Sequence, residues 1–492
     1  TDARALGRSG AMSFSLCKEV HAPTGASFCL SAYFIYPSGS KRADGSSRLP
    51  NLIVVKANVL EIHVVRLEGV SKDAGMADRA AQLELLAEIP LHGLVEDIAV
   101  LRASVTSQRD ALVLAFSEAK VSVVEWDAEA QGLRTSSLHS YEQPANAGGR
   151  VSWPRGPRVL VDPLGRCAAA LVYGNKVALM RVVETDLSDS ILAEDSRATV
   201  EGGSVGRAAK VASSYLVDLG DPKGLNINFV KDVAFLEGHN EPCLVVLHET
   251  TPAWAGRYKD AKDTCMITAL SLNLQRHKHP IIWRAEGLPS DCLRLLPVPA
   301  APGPGGLVVV GPNLLLYYTG GTQPACRLAV NSLAQAGRIL PPDPVVDPMA
   351  PPPEPKVIPT GVSENVVAAL AIGAPRAEGV STELDGSRID WLEPTVALVS
   401  VRNGQLYLLQ LMVDGSSVKR LNLSRAGAAV LASGLCVLRP PGPITPQGHV
   451  FVGSRLGDSL LVAYKRQGGA PLPGPAGGAA GGEGGDGDED DE

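Results

Sequence analysis

Residues Asp110–Asp127 read DALVLAFSEAKVSVVEWD, and that stretch decides the fold. Ala111–Phe116 is an apolar run of strand length, and Val121–Trp126 is another. Ser117, Glu118, Ala119 and Lys120 form a polar connection between them. A link that short joins only antiparallel neighbours, because a parallel return needs a crossover of about a dozen residues. The β-branched and aromatic content favours strand over helix. The first run is apolar at nearly every position, so both of its faces are expected to be covered. A lone hairpin is marginal in water, so the unit requires neighbours of its own kind.

The chain supplies them. Leu52–Val55 turns into Val59–Leu67, Ala168–Val172 into Val177–Val183, and Leu307–Val310 into Leu314–Tyr318. Leu244–His248 leads through a longer loop to Met266–Leu274. Thr395–Val401 turns at Arg402-Asn403-Gly404 into Gln405–Val413, and Val450–Gly453 passes into Ser459–Tyr464. Asn403-Gly404 predicts a type I′ turn, which places positive φ at both central residues. Seven such hairpins predict radial repetition: an all-β, seven-bladed β-propeller of four-stranded antiparallel blades. The hairpins would supply two strands of each blade and the weaker runs the rest. Two packed β-sandwiches are the alternative. Ala77–Leu86 is read as a short surface helix. Ser13–Val20 is read as a strand that pairs with the last blade, beside Val450–Tyr464.

Domain boundaries follow from composition. Residues 1–11 form an expected disordered tail and 12–466 the propeller. Residues 334–377 form an ill-ordered insertion, because Pro341–Pro359 holds nine prolines in 19 residues. Residues 467–492 are an expected disordered tail, glycine-rich and then acidic. The formal charge of the 492 residues is −7, and Glu483–Glu492 alone carries seven acids and no base. The body is therefore electrically balanced, unlike a protein whose main task is gripping a phosphate backbone. The eight cysteines are scattered without a Cys-x-x-Cys pair, which predicts free thiols in a reducing compartment. No signal peptide is visible, and the apolar stretch Gly305–Gly321 is short for a membrane span and is broken by Pro312. Residue 1 is threonine and Met12 is the first methionine, which reads as a fragment or an incomplete start.

Chemical motifs are poor. Gly202-Gly203-Ser204-Val205-Gly206 fits a nucleophile elbow, but it lies in a polar loop without the strand and helix that position Ser204. His277 and His279 flank Lys278 and have no further ligand nearby in sequence, so they read as a solvated loop and not a metal site. Asn422-Leu423-Ser424 is a glycosylation sequon without a secretory route. No phosphate-binding Gly-Lys-Ser/Thr loop exists. The chain is read as a non-enzyme without cofactor, metal or catalytic residues.

A resemblance rests on ordered motifs. Arg109–Leu114, Ala119–Glu125, Leu138–Glu142, Asp162–Ala169, Ser213–Leu219, Asp263–Cys265, Ser271–Asn273, His279–Trp283 and Gly453–Leu461 succeed one another in this chain. Together they resemble the N-terminal region of the large subunit of the cleavage and polyadenylation specificity factor, from about Met12 to Tyr464. That family is built from three propellers, and this chain would hold the first. The resemblance implies a nuclear scaffold in pre-mRNA 3′-end cleavage and polyadenylation. Its implied partners are a WD-repeat subunit, a zinc-finger subunit, the nuclease and the poly(A) polymerase. Pre-mRNA would be reached directly or through them, with no membrane involved. Propeller adaptors of a ubiquitin ligase, of the damaged-DNA-binding type, and splicing-factor propeller subunits share the architecture and are the alternative. RNA- and partner-binding residues are unknown at this level.

Overall fold

A computed structural model of the chain describes residues 23–41, 48–68, 80–102, 109–147, 157–183, 210–252, 256, 263–331, 380–415, 417–439 and 447–465. These residues form seven antiparallel sheets. Blade 1 holds β1 (Phe28–Ala32), β2 (Asn51–Lys56), β3 (Val59–Glu68) and β4 (Ala80–Pro90). Blade 2 holds β5 (Val95–Leu101), β6 (Ala111–Phe116), β7 (Lys120–Asp127) and β8 (Gly132–Ser140). Blade 3 holds β9 (Arg158–Val161), β10 (Cys167–Val172), β11 (Lys176–Val183) and β12 (Lys210–Asp218). Blade 4 holds β13 (Val230–Leu236), β14 (Cys243–Glu249), β15 (Cys265–Ser271) and β16 (Ile281–Leu288). Blade 5 holds β17 (Arg294–Pro297), β18 (Leu307–Val310), β19 (Leu314–Tyr318) and β20 (Cys326–Ala329). Blade 6 holds β21 (Arg388–Glu393), β22 (Val396–Ser400), β23 (Gln405–Asp414) and β24 (Ser417–Ala428). Blade 7 holds, among the described residues, β25 (Gly434–Leu438), β26 (Gln447–Gly453) and β27 (Leu460–Lys465). The chain is a seven-bladed β-propeller, and the predicted hairpins are strands two and three of every blade.

The core is seven cores, one in each joint between blades. Successive side chains of a strand point to opposite faces, so a middle strand feeds two joints at once. In β6, Leu112 and Leu114 pack toward blade 1, while Ala111, Val113 and Ala115 pack toward blade 3. In β10, Ala168, Ala170 and Val172 face blade 2, and Cys167, Ala169 and Leu171 face blade 4. That double burial is why these strands read as unbroken apolar runs. The last joint closes the ring: Ala26, Leu52 and Val54 of the first blade pack on Cys436, Leu438 and Phe451 of the seventh. The main chain seals the same joint. Thr24 N donates to Gly457 O at 3.2 Å, and Ala26 N donates to Ser454 O at 3.0 Å. The expected strand Ser13–Val20, the proline-rich insertion and both tails lie outside the described residues.

Two local expectations are corrected. Ala77–Leu86 is not a helix where it is described: Ala80–Pro90 is the outer strand of blade 1, its ten partners running from Glu68↔Ala80 to Val59↔Pro90. Pairing with a long neighbour overrides local helix propensity there. The turn at Arg402-Asn403-Gly404 is not type I′, because only Gly404 has positive φ, at +78°. Gly404 N donates to Val401 O, and Val401 N donates to Gln405 O. That is a three-residue loop closed by a left-handed glycine. Asn403 keeps ordinary φ and its side-chain oxygen accepts from Gln405 N at 3.0 Å.

Candidate functional site

Each blade begins at the axis, so the inner strands β1, β5, β9, β13, β17, β21 and β25 wall a central channel. Its mouth lies on the face where these strands start, which also carries the turns between strands two and three. The channel mouth is a cavity of about 1020 Å³. The opposite face carries the remaining turns, and blades 2, 3 and 4 enclose a second cavity there, of about 400 Å³.

The channel wall is held by a recurring carboxylate. Asp97 in β5 accepts the Val159 amide of the next blade at 2.8 Å. Asp232 in β13 accepts the Leu295 amide at 2.7 Å, and Asp390 in β21 accepts the Val437 amide at 2.8 Å. Each is the third residue of its strand. At Asp97 and Asp232 the register slips just before the residue, between Val95 and Asp97 and between Val230 and Asp232. A bulge re-aims a side chain, and here the carboxylate crosses to the neighbouring blade. Burial pushes Asp97 and Asp390 above the usual carboxylate range, while the bound amides and nearby arginines pull down. Asp232 also pairs with Arg158 at 2.5 Å. Arg158, Arg294 and Arg388 are the first residues of β9, β17 and β21, so they enter the channel at its mouth.

The opposite face is stiffened by Arg166. It grips Asp162 through Nε at 2.7 Å and Nη2 at 2.9 Å, and Nη1 donates to the carbonyls of His239 and Asn240 on the next blade. The turn so held presents Leu164, which is 71% exposed beside the second cavity. Leu456 is 75% exposed in the turn between β26 and β27, on the channel-mouth face. Exposed apolar tips on rigid turns are how a rim offers contact points to another protein.

The residues singled out from sequence fare differently. Among the described residues His277 and His279 meet no further metal-ligating group. Both stack on Tyr215 of blade 3, with ring centroids 3.9 and 5.9 Å apart, and the Tyr215 hydroxyl lies 3.4 Å from His279 Nε2. They lie in an exposed loop, as read, and also clasp Tyr215 across blades 3 and 4. Asn422 lies within β24 and its amide donates to Gln410 at 3.2 Å. Ser204 lies outside the described residues. Among the described residues no group of three His, Cys, Asp or Glu is placed to hold a metal ion, and no helix is long and apolar enough to cross a membrane. Seven described cysteines are free thiols, six of them buried. Burial raises Cys243 and Cys265 to about 12, which keeps them unreactive. Sequence reasoning missed the channel carboxylates. A signal was present: Val95-Glu96-Asp97-Ile98-Ala99 and Val230-Lys231-Asp232-Val233-Ala234 share a Val-x-Asp-(Ile/Val)-Ala pattern.

A family model described as the RSE1/DDB1/CPSF1 first beta-propeller matches residues 46–340. The chain belongs to that family. Relatives of this first-propeller family are similar over nearly the whole chain. Cleavage and polyadenylation specificity factor subunit 1 of Arabidopsis thaliana is 36% identical, covering 94% of this chain and 31% of that protein. The probable subunit 1 of Oryza sativa is 32% identical, covering 92% of this chain and 31% of that protein. Subunit 1 of Drosophila melanogaster is 30% identical, covering 92% and 28%. The chain thus spans less than a third of the length of these relatives. Several motifs that carry the family resemblance are joint fittings. Asp162–Ala169 contains the Arg166 clamp. Gly453–Leu461 holds Ser454, whose amide donates to Ser459 Oγ and whose hydroxyl donates to Leu431 O.

Proposed function

We propose that this propeller is a docking scaffold within the pre-mRNA 3′-end cleavage and polyadenylation machinery, working in the nucleus. The reading is carried by one observation: similarity of 30–36% over 92–94% of the chain to proteins named as subunit 1 of the cleavage and polyadenylation specificity factor. The physics of the ring supports it. Stability resides in the seven joints, so rim turns are free to carry contact residues without weakening the core. The partners would be the WD-repeat and zinc-finger subunits that read the polyadenylation signal, with the nuclease and poly(A) polymerase recruited to the same assembly. A body without net charge, once the acids of Glu483–Glu492 are set aside, suits contact with RNA made jointly with those partners more than an independent grip.

Affinity capture of the tagged chain from nuclear extract, read by mass spectrometry, tests this. Recovery of 3′-processing subunits is the expected result. Recovery of a cullin or of branch-site splicing proteins in their place would overturn it. Crosslinking to RNA carrying the polyadenylation signal, with and without the captured subunits, tests the RNA contact separately.

A further inference from the structure

The channel mouth carries six basic side chains against three acidic ones. Four of the six are committed. Arg158 pairs with Asp232 at 2.5 Å, and Arg402 pairs with Asp385 at 3.0 Å. Lys231 pairs with Glu249 at 3.2 Å, and Arg294 Nη1 donates to Ser387 O at 2.7 Å. Arg388 and Arg455 make no hydrogen bond or ion pair among the described residues. Of the acids at the mouth, Asp385 is taken by Arg402, Asp97 holds the Val159 amide and attracts Arg388 and Arg294 without an ion pair, and Glu96 remains. Arg388 is exposed by area although the blades surround it, so solvent and solutes reach it through the channel.

We propose that the mouth of the central channel binds a compact polyphosphorylated small molecule, gripped by Arg388 and Arg455 and flanked by Arg158 and Arg294. Three features choose this class. The cavity, at about 1020 Å³, is just above the usual range for small-ligand sites, about 300–1,000 Å³, which leaves room for a ligand together with its water. Guanidinium groups match phosphate in fixed, two-pronged geometry. The four arginines come from blades 3, 5, 6 and 7, converging on an axis. That arrangement fits a ligand with charges around its perimeter, whereas an extended acidic strand needs cations in a row. The guanidinium groups also burden one another: burial and then the charge of Arg158 push Arg294 down to about 10 and lower Arg388. An anion among them relieves that repulsion.

The test is titration calorimetry of the full chain with inositol hexakisphosphate at about 0.15 M salt. Saturable one-to-one binding is expected, with a rise in the melting temperature. The double variant Arg388→Ala/Arg455→Ala is expected to weaken binding by at least about ten-fold, since each lost charge-assisted contact matters at that level. Its melting temperature without ligand should stay close to that of the wild type, because neither side chain makes a hydrogen bond or ion pair among the described residues and Asp97 attracts Arg388 only at longer range. Arg276→Ala, on the opposite face, should bind as the wild type does. Absence of saturable binding, or unchanged binding in the double variant, overturns the proposal. So does tighter Arg388-dependent binding of a single-stranded RNA ten-mer, which would make the ligand a strand. Arg388-dependent capture on vesicles containing phosphatidylinositol 4,5-bisphosphate would make it a lipid headgroup and overturn the free-ligand assignment.

Discussion

Asp97, Asp232 and Asp390 do the same job with different electrostatics, and that difference is measurable. Asp232 is buried and pairs with the partly exposed Arg158 as well as accepting the Leu295 amide. Asp232→Ala leaves Arg158 to solvent and the Leu295 amide without its acceptor, so it should lose about 1–3 kcal/mol in urea denaturation. Asp97 ionises above the usual carboxylate range because it is buried. The unfolded chain therefore releases this proton first. Stability falls as pH rises from 3.8 toward the folded value and is level above it. Asp97→Asn keeps an oxygen for the Val159 amide and has no charge to bury. It should be at least as stable as the wild type at pH 7, and a loss of more than about 1 kcal/mol would show that the charge itself is required. His248 gives the opposite slope. It is buried against Thr268, 2.9 Å from its hydroxyl, and burial lowers its pKa from 6.5 to about 4. The unfolded chain takes up the proton first, so this stability is complete above pH 6.5 and is lost as pH falls toward 4. The loss is about 3 kcal/mol at one pKa unit per 1.4 kcal/mol. His248→Gln should flatten the pH 7 to pH 4.5 slope relative to the wild type; an unchanged slope would show that His248 is protonated in the fold.

Among the elements, the middle hairpins were legible and the inner strands were not. β6 and β10 are apolar throughout because each face meets another blade, and an apolar run between turn residues announces itself. β9 and β17 are four residues long and begin with an arginine aimed at the channel, so nothing in them alternates for long enough to be read. The outer strand β8 is exposed at most positions, and only pairing with β7 makes it a strand. The arginines and aspartates of the channel were hidden for the same reason: their roles depend on which strand lies at the axis. Turn chemistry was half legible. Asn403-Gly404 marked the reversal, but three residues were needed to join β22 and β23, which leaves the left-handed position to Gly404 alone. A Cβ there would stand 2.5 Å from the Ala429 carbonyl oxygen. Gly404→Ala should therefore cost about 2–3 kcal/mol, from strained φ and displacement of the neighbouring chain, read as a lowered urea midpoint. A change under about 0.5 kcal/mol would mean that the loop relaxes freely.

At the scale of the whole molecule, stability is distributed around a circle, and each blade depends on two neighbours. A ring so built has no weak end only if blade 7 meets blade 1. That joint is where residues some 400 positions apart are brought together, as Ser433 and Ala26 are by a hydrogen bond. The scaffold reading depends on the same closure, because the rims hold a fixed geometry only on a closed ring. The channel proposal depends on it as well, since Arg455 reaches the mouth from blade 7. Gly434 in β25 offers a direct probe. A Cβ at that position would lie 2.7 Å from Cys29 Sγ and 3.6 Å from Cys29 Cβ, and disulfides span Cβ atoms at about 3.5–4.5 Å. The measurement is peptide mapping by mass spectrometry of Gly434→Cys after the folded chain is held with excess oxidant at alkaline pH, because burial raises the Cys29 thiol to about 12 and the thiolate is the reacting form. Closure predicts a disulfide joining position 434 to Cys29 that forms under native conditions and not in urea. Two free thiols at these positions in the folded, oxidised protein would contradict the closed ring.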